Sequence, residues 1–427
     1  MNATHSTGRF GLHTVARAAL LAVTALAGQA QAQTLSYIGQ QIIPTGATFQ
    51  GTTVGGLSGL DYTGLPNTYI AISDDRSALN PARYYGLQLD LSKFQRSATP
   101  GQAGVTFTGV TTLLRPDGTA FPANLVDPES IRYNRATGNL VWSNEGQRAA
   151  AGFQNPTVRQ ATVGGTYLSD LAVPNRYLPV GSNAGTAPGD RGIYNNLAFE
   201  SLTISPDGRT VYTATENSLT QDGPIATVNN GSSARILSFD AATGQAGAEW
   251  IYPVSPVVLQ PQPAGLFTTN GLVEMIATGD GQFIAMERSF SIGAVTPGNG
   301  PNGLPTGYTV RLYNVDTRGA TDVSGLDSIA GQAVTPATKT LLLDLVDLRN
   351  DDGSAVALDN LEGMTLGPIV DGQQTLILVS DNNFGSTQFT QFVALSMAPV
   401  PEPTPALLLA GGLALLAWRA RAARPAR

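Results

Sequence analysis

Read for its apolar and polar positions, the chain shows one pattern five times. A short apolar strand opens on an acidic or small residue and is followed by a turn. A second apolar strand follows and ends in an acidic or polar cluster. The copies run from Ser58-Gly59-Leu60 to Ile72-Ser73-Asp74-Asp75-Arg76, from Glu129-Ser130-Ile131 to Ser143-Asn144-Glu145, and from Glu200-Ser201-Leu202 to Thr215-Glu216-Asn217. The last two run from Glu274-Met275-Ile276 to Met286-Glu287-Arg288 and from Glu362-Gly363-Met364 to Ser380-Asp381-Asn382. Turns such as Pro206-Asp207-Gly208, Gly279-Asp280-Gly281 and Asp371-Gly372 between β-rich runs are hairpin signals. Third strands are expected at 84–91, 235–240, 310–316 and 392–397, and fourth strands at 105–114, 247–252 and 339–345.

Four strands in a unit that repeats predict an all-β chain, a β-propeller of about five four-stranded blades. Six blades is the alternative, if an insertion holds a degenerate unit. The spacing exceeds that of a compact blade, so the Gly/Pro/Asn-rich stretches 149–195, 217–233 and 290–307 read as insertions. The fifth unit lacks a fourth strand, and 35–43 can supply it and close the ring. Closure removes sheet edges that would otherwise pair with other chains.

The two ends read differently from the body. Residues 1–32 carry Arg9 and Arg17, an apolar run from Ala18 to Leu26 and a small-x-small site at Ala30-Gln31-Ala32, the pattern of a secretory signal peptide. Export through the Sec machinery is expected. Residues 399–427 hold Pro401-Glu402-Pro403, an apolar stretch from Ala406 to Trp418, and Arg419, Arg421, Arg424 and Arg427. That stretch is short for a stable span, which needs about 20 residues, and the arginines should hold that end on the cytoplasmic side. The order of features resembles the PEP-CTERM sorting signal. The resemblance implies recognition by an exosortase and a final place at the surface of a Gram-negative bacterium, in the periplasm or in the extracellular matrix. A plain C-terminal anchor is the other reading. Either way, membrane contact is expected through this segment alone.

Composition sharpens the chemistry. The 24 basic and 31 acidic residues include six arginines and one glutamate in the two ends, which leaves 18 against 30 in the body (33–398), a net charge of −12. Such a body repels nucleic acid and anionic lipid and suits cations. There is no cysteine, and both histidines, His5 and His13, fall in the signal segment. The mature chain should therefore hold no disulfide, no thiolate, no His-Zn site and no Ser-His-Asp triad. Catalysis must come from carboxylates, hydroxyls, tyrosines, arginines, the two lysines (Lys93 and Lys339) or a bound metal.

In a hairpin the start of the first strand lies beside the end of the second. Glu129 should meet Glu145, Glu200 meet Glu216, Glu274 meet Glu287, and Glu362 meet Asp381, with Asp74 and Asp75 standing in for the first unit. Ten carboxylates on one rim cannot all ionise without compensation. Ca²⁺, or another divalent cation, is one solution. Arginine pairing by Arg76, Arg132, Arg148 and Arg288 is another. Candidate metal ligands are Asp74, Asp75, Glu129, Glu145, Glu216, Glu287 and Asp381. Glu145 and Asp74 are the candidate proton acceptors, and Arg76, Arg148 and Arg288 the candidate substrate-oxygen binders. The competing reading is structural: Glu-Ser at each strand start hydrogen-bonds the neighbouring blade and fixes register.

The segments 56-Gly-Leu-Ser-Gly-Leu-Asp-61, Ile72-Ser73-Asp74-Asp75-Arg76, Asp127-Pro128-Glu129-Ser130-Ile131, Phe199-Glu200-Ser201-Leu202, Glu216-Asn217, Met286-Glu287-Arg288 and Asn360-Leu361-Glu362-Gly363-Met364 together resemble the family named for the esterase-like activity of phytase, over roughly residues 50–395. The resemblance implies a propeller and a hydrolase of phosphoric or carboxylic esters. The rival expectation is a non-catalytic module that binds extracellular polysaccharide or protein.

Overall fold

The computed structural model describes residues 34–398; the signal peptide and the C-terminal sorting segment read from the sequence lie outside them. Five antiparallel sheets of four strands each form the blades. The first contains Leu57–Tyr62, Thr68–Ser73, Arg83–Leu89 and Val105–Thr112; the second Pro128–Asn134, Asn139–Asn144, Thr157–Ala161 and Tyr167–Asp170. The third contains Phe199–Ile204, Thr210–Thr215, Ser232–Asp240 and Ala246–Val254; the fourth Thr268–Gly279, Gln282–Ser291, Tyr308–Asp316 and Thr338–Asp344. The fifth takes Asn360–Val370, Gln373–Asp381 and Thr390–Ala398 from the C-terminal side and closes with Thr34–Ile43 as its outermost strand. The closing strand is the one expected from the sequence. Each first strand packs against the first strands of the blades before and after it, and the fifth returns to the first. The five first strands therefore ring a common axis. Among the described residues there is no α-helix, and so no helix long and apolar enough to cross a membrane.

Continuous apolar runs in the second strands follow from burial on both faces. Alternate side chains of a strand point to opposite sides, and here each side meets a different blade. Ile70 and Ile72 enter the core shared with the second blade, while Tyr69 and Ala71 enter the core shared with the fifth. Leu376 and Leu378 face the fourth blade, Ile377 and Val379 the first. Five separate cores thus lie between blades, each completed only by its two neighbours. Asp371 and Gly372, both at positive φ, make the two-residue turn that joins Val370 to Gln373, as this type of hairpin requires.

One insertion is corrected. The stretch 149–195 holds the third and fourth strands of the second blade, and a small hairpin (Gln147–Ala149 with Gly152–Gln154) precedes them. Its strands are short and its glycines many, so its composition resembled a loop.

Candidate functional site

Every first strand carries a β-bulge, near its start in four blades and after five paired residues in the fourth. Leu57 pairs with Ser73 and Gly59 with Ile72, so Ser58 is left over; Glu200, Val273 and Glu362 are left over in the same way. In the second blade Glu129 and Ser130 both fall opposite Ser143. A bulge inserts one residue, bends the strand and re-aims its side chain. Aligned by pairing, the bulge position reads Ser58, Glu129, Glu200, Val273, Glu362. The position where the second strand exits reads Asp74, Glu145, Glu216, Arg288, Asp381. The position two before the bulge reads Gly56, Asp127, Ala198, Gly271, Asn360. The backbone confirms the alignment: the N–H groups of Asp74, Glu145 and Glu216 donate to the carbonyls of Gly56, Asp127 and Ala198, while Gly271 faces Arg288 and Asn360 faces Asp381.

Three tiers of equivalent positions therefore bring Asp74, Asp127, Glu129, Glu145, Glu200, Glu216, Glu362 and Asp381 to one end of the axis. Seven of these are buried and Asp74 is half-buried. Asp127, Glu129 and Glu145 each offer an oxygen such that all three lie within 4.8 Å of one another, and so do Glu145, Glu200 and Glu216. Among the described residues, only two cations come within ion-pairing distance of the eight carboxyls. Arg288 places Nη2 2.6 Å from Glu362 Oε1 and 3.7 Å from Glu216 Oε1, and Arg76 places Nε 3.4 Å from Asp127 Oδ2.

Burial and mutual repulsion set the protonation. Loss of solvent raises the Asp74 pKa well above the usual carboxylate range, and the nearby charges of Glu362 and Asp127 add to the rise. Burial followed by Glu200 and Asp127 does the same to Glu129, burial followed by Asp127 to Glu145, and burial followed by Glu145 and Glu216 to Glu200. Asp381 rises through burial and the charge of Asp74. Asp127 and Glu216, pushed up by burial, stop at about 7 because Arg76 and Arg288 respectively oppose the shift. Burial also works against the charge on Arg288, but Glu216 and Glu362 outweigh it and its pKa rises.

The ring is prepared but unfilled in its hydrogen bonding. The Ala198 N–H donates to Glu145 Oε1 at 2.8 Å, which fixes that carboxylate and leaves Oε2 buried without a partner. Asp74 Oδ1 and Glu216 Oε1 are also buried with no hydrogen bond. Space for two of these groups depends on glycine. A Cβ on Gly271 would lie 2.1 Å from Glu216 Cγ, and one on Gly56, at φ +63°, 2.0 Å from Asp74 Oδ1. Buried oxygens without donors are costly. An oxygen-seeking cation such as Ca²⁺ matches this donor set, so the residues fit a bound divalent ion.

Several residues expected on the rim are elsewhere. The fourth blade pairs one residue out of step with the sequence reading, so Val273 and Arg288 take the ring positions assigned to Glu274 and Glu287. Glu274 lies further along the axis, where its carboxylate pairs with Arg132 at 2.7 Å and accepts from Ser130 Oγ and the Leu202 and Met275 N–H groups. This is the register-fixing role weighed for the Glu-Ser motif. Glu287 turns between the third and fourth blades to Lys339, Tyr252 Oη, Asn270 Nδ2 and the Ser255 N–H. Asp75 accepts from the N–H groups of Ala78, Leu79 and Asn80 and pairs with Arg83 at 2.7 Å; it organises its own turn. Arg148 is also removed from the ring. It donates to the carbonyls of Val180, Ser182, Arg191 and Ile193 and pairs with Asp190, tying down the 178–193 loop. Asp74, Glu129, Glu145, Glu216, Asp381, Arg76 and Arg288 are brought together. Asp127 was missed as a site residue, although its place two before Glu129, on the same side of an extended chain, was the available signal.

The profile of the phytase-like family, described as esterase-like activity of phytase, matches residues 52–384. No curated protein matches the chain. Among solved structures, a protein of unknown function from Dyadobacter fermentans is 11% identical over 85% of this chain and 99% of its own, with a TM-score of 0.39. A GH43 β-1,3-galactosidase is 11% identical over 85% of this chain and 60% of its own, at 0.39. The periplasmic gluconolactonase of Pseudomonas aeruginosa is 10% identical over 86% and 99%, at 0.32. These structures are too distant to inform the site. The family match covers most of the chain, and with five blades closed around a carboxylate ring the protein belongs to the phytase-like, esterase-like-activity-of-phytase family.

Proposed function

We propose that the protein hydrolyses phosphoric or carboxylic esters with the help of a divalent cation held in the carboxylate ring. One observation carries this reading: buried oxygens of Asp74, Glu145 and Glu216 stand without donors in a ring of eight carboxyls opposed by two arginines. Either triad, Asp127 with Glu129 and Glu145 or Glu145 with Glu200 and Glu216, would hold such an ion. When bound, such an ion polarises a phosphoryl or acyl oxygen and lowers the pKa of a bound water. The chain's own groups do the rest. Arg76, with about a third of its side chain exposed, binds an anionic substrate oxygen at the mouth. Asp74, half-buried and with a raised pKa, takes a proton from the attacking water and returns it to the leaving oxygen. Arg288 is committed to Glu362 and serves as internal counter-charge.

The test assays the purified protein on a generic phosphomonoester and a carboxylic ester, with Ca²⁺ and with chelator. Turnover that chelator abolishes and Ca²⁺ restores is expected. No turnover, with melting indifferent to Ca²⁺, would instead favour the binding module for extracellular polysaccharide or protein. Export and surface sorting, read from the two ends, are part of the same proposal and are tested by fractionating cells that produce the full chain.

A further inference from the structure

Resting on the cation reading above, we infer that the ring holds two divalent ions rather than one, with Glu145 as the carboxylate they share. The two oxygen triads have only Glu145 in common: Asp127 and Glu129 on one side, Glu200 and Glu216 on the other. Ca²⁺ takes its oxygens at about 2.3–2.6 Å, so all ligands of one ion lie within roughly 5 Å of one another. Each triad meets that limit, but the five residues do not form a single set. One ion therefore reaches either side, not both.

Independent features of the same residues agree. Glu145 is 1% exposed, is anchored through Oε1 by the Ala198 N–H, and keeps Oε2 free. A carboxylate so held can use both oxygens without rotating. Glu216, on the far triad, also keeps a buried unpartnered oxygen, in a space that Gly271 leaves open.

Calorimetric titration of the metal-free protein with Ca²⁺ reads the stoichiometry, and Mn²⁺ titration followed by electron paramagnetic resonance reads whether the ions couple. Two ions per chain are expected, with a coupled Mn²⁺ spectrum at saturation. Glu129→Gln and Glu200→Gln should each bind one ion, and Glu145→Gln should weaken both sites at least tenfold. Circular dichroism checks that each variant is folded; if Glu145→Gln is not, Glu200→Gln binding a single uncoupled ion still supports the proposal. One ion in the wild type alongside chelator-sensitive turnover would overturn the pair while leaving the hydrolase reading intact. So would a Glu145→Gln protein that loses only one ion. No binding of either metal would overturn both readings.

Discussion

The second and third blades place an acid at both ring positions, Glu129 with Glu145 and Glu200 with Glu216. The fourth blade places Val273 and Arg288 there. The first strand carries a one-residue bulge at this level in all three, so what differs at the ring is the side chains. One side of the ring is acidic and short of donors. The other carries the cation that ties Glu362 and leans toward Glu216. A repeated fold supplies equivalent places, and a departure in one copy gives the ring a direction. The acids that are fully satisfied, Glu274 and Asp75, are those placed away from the ring.

The contrast can be broken most severely at Arg288. Arg288→Met leaves Glu362 and Glu216 buried without their partner, and breaking a buried pair in this way costs about 3–5 kcal/mol. Denaturant unfolding with chelator should show the loss, and added Ca²⁺ should recover part of it. Gly271→Ala tests the opposite side. Its new methyl must displace Glu216, so Ca²⁺ affinity should fall about tenfold, with a stability loss of roughly 1–3 kcal/mol.

Metal-free protein should also respond to pH in an unusual direction. Ring carboxyls with raised pKa bind more protons folded than unfolded, so stability is greatest in mild acid. It declines as pH rises from the unfolded carboxylate range through about 7, where Asp127 and Glu216 titrate, at about 1.4 kcal/mol per pH unit for each proton involved. Melting temperature against pH, with chelator, measures it; a curve rising over pH 4–7 would contradict the protonated ring. The smallest effect is the most diagnostic. Glu129→Gln removes one like charge and should leave chelated protein unchanged or up to about 1 kcal/mol more stable, whereas Glu274→Gln, cutting a satisfied ion pair, should destabilise it.

The fold was largely legible because each blade writes the same apolar–turn–apolar unit, and the closing strand could be found by asking what the fifth unit lacked. Ring membership was legible in the third unit and the fifth, whereas the first wrongly added Asp75 and the second left out Asp127. It failed in the fourth, where Glu274-Met275-Ile276 imitates Glu200-Ser201-Leu202. The warning was spacing. Glu129 and Glu145, like Glu200 and Glu216, stand sixteen residues apart, but Glu274 and Glu287 stand thirteen apart. Bulge positions are set by local twist and hydrogen bonding, which leave little trace in residue type, so a one-residue slip exchanged every side chain between ring and interface. Arg148 was unreadable for another reason: apart from Asp190, its partners are backbone carbonyls, which any sequence carries.

The strand at Thr34–Ile43 has a consequence for how the molecule comes into being. During synthesis it emerges before every other blade segment, yet its neighbour, Thr390–Ala398, is made last. The earliest-made piece can bond early only to the 95–101 segment, Gln40 to Gln95 and Ile42 to Gly101; its sheet neighbour follows some 350 residues later, and contacts of such long sequence separation slow folding. Once that latch engages, no blade can peel away from either terminus without first undoing the seam, so the carboxylate ring stays gathered for as long as the two ends of the described chain hold together.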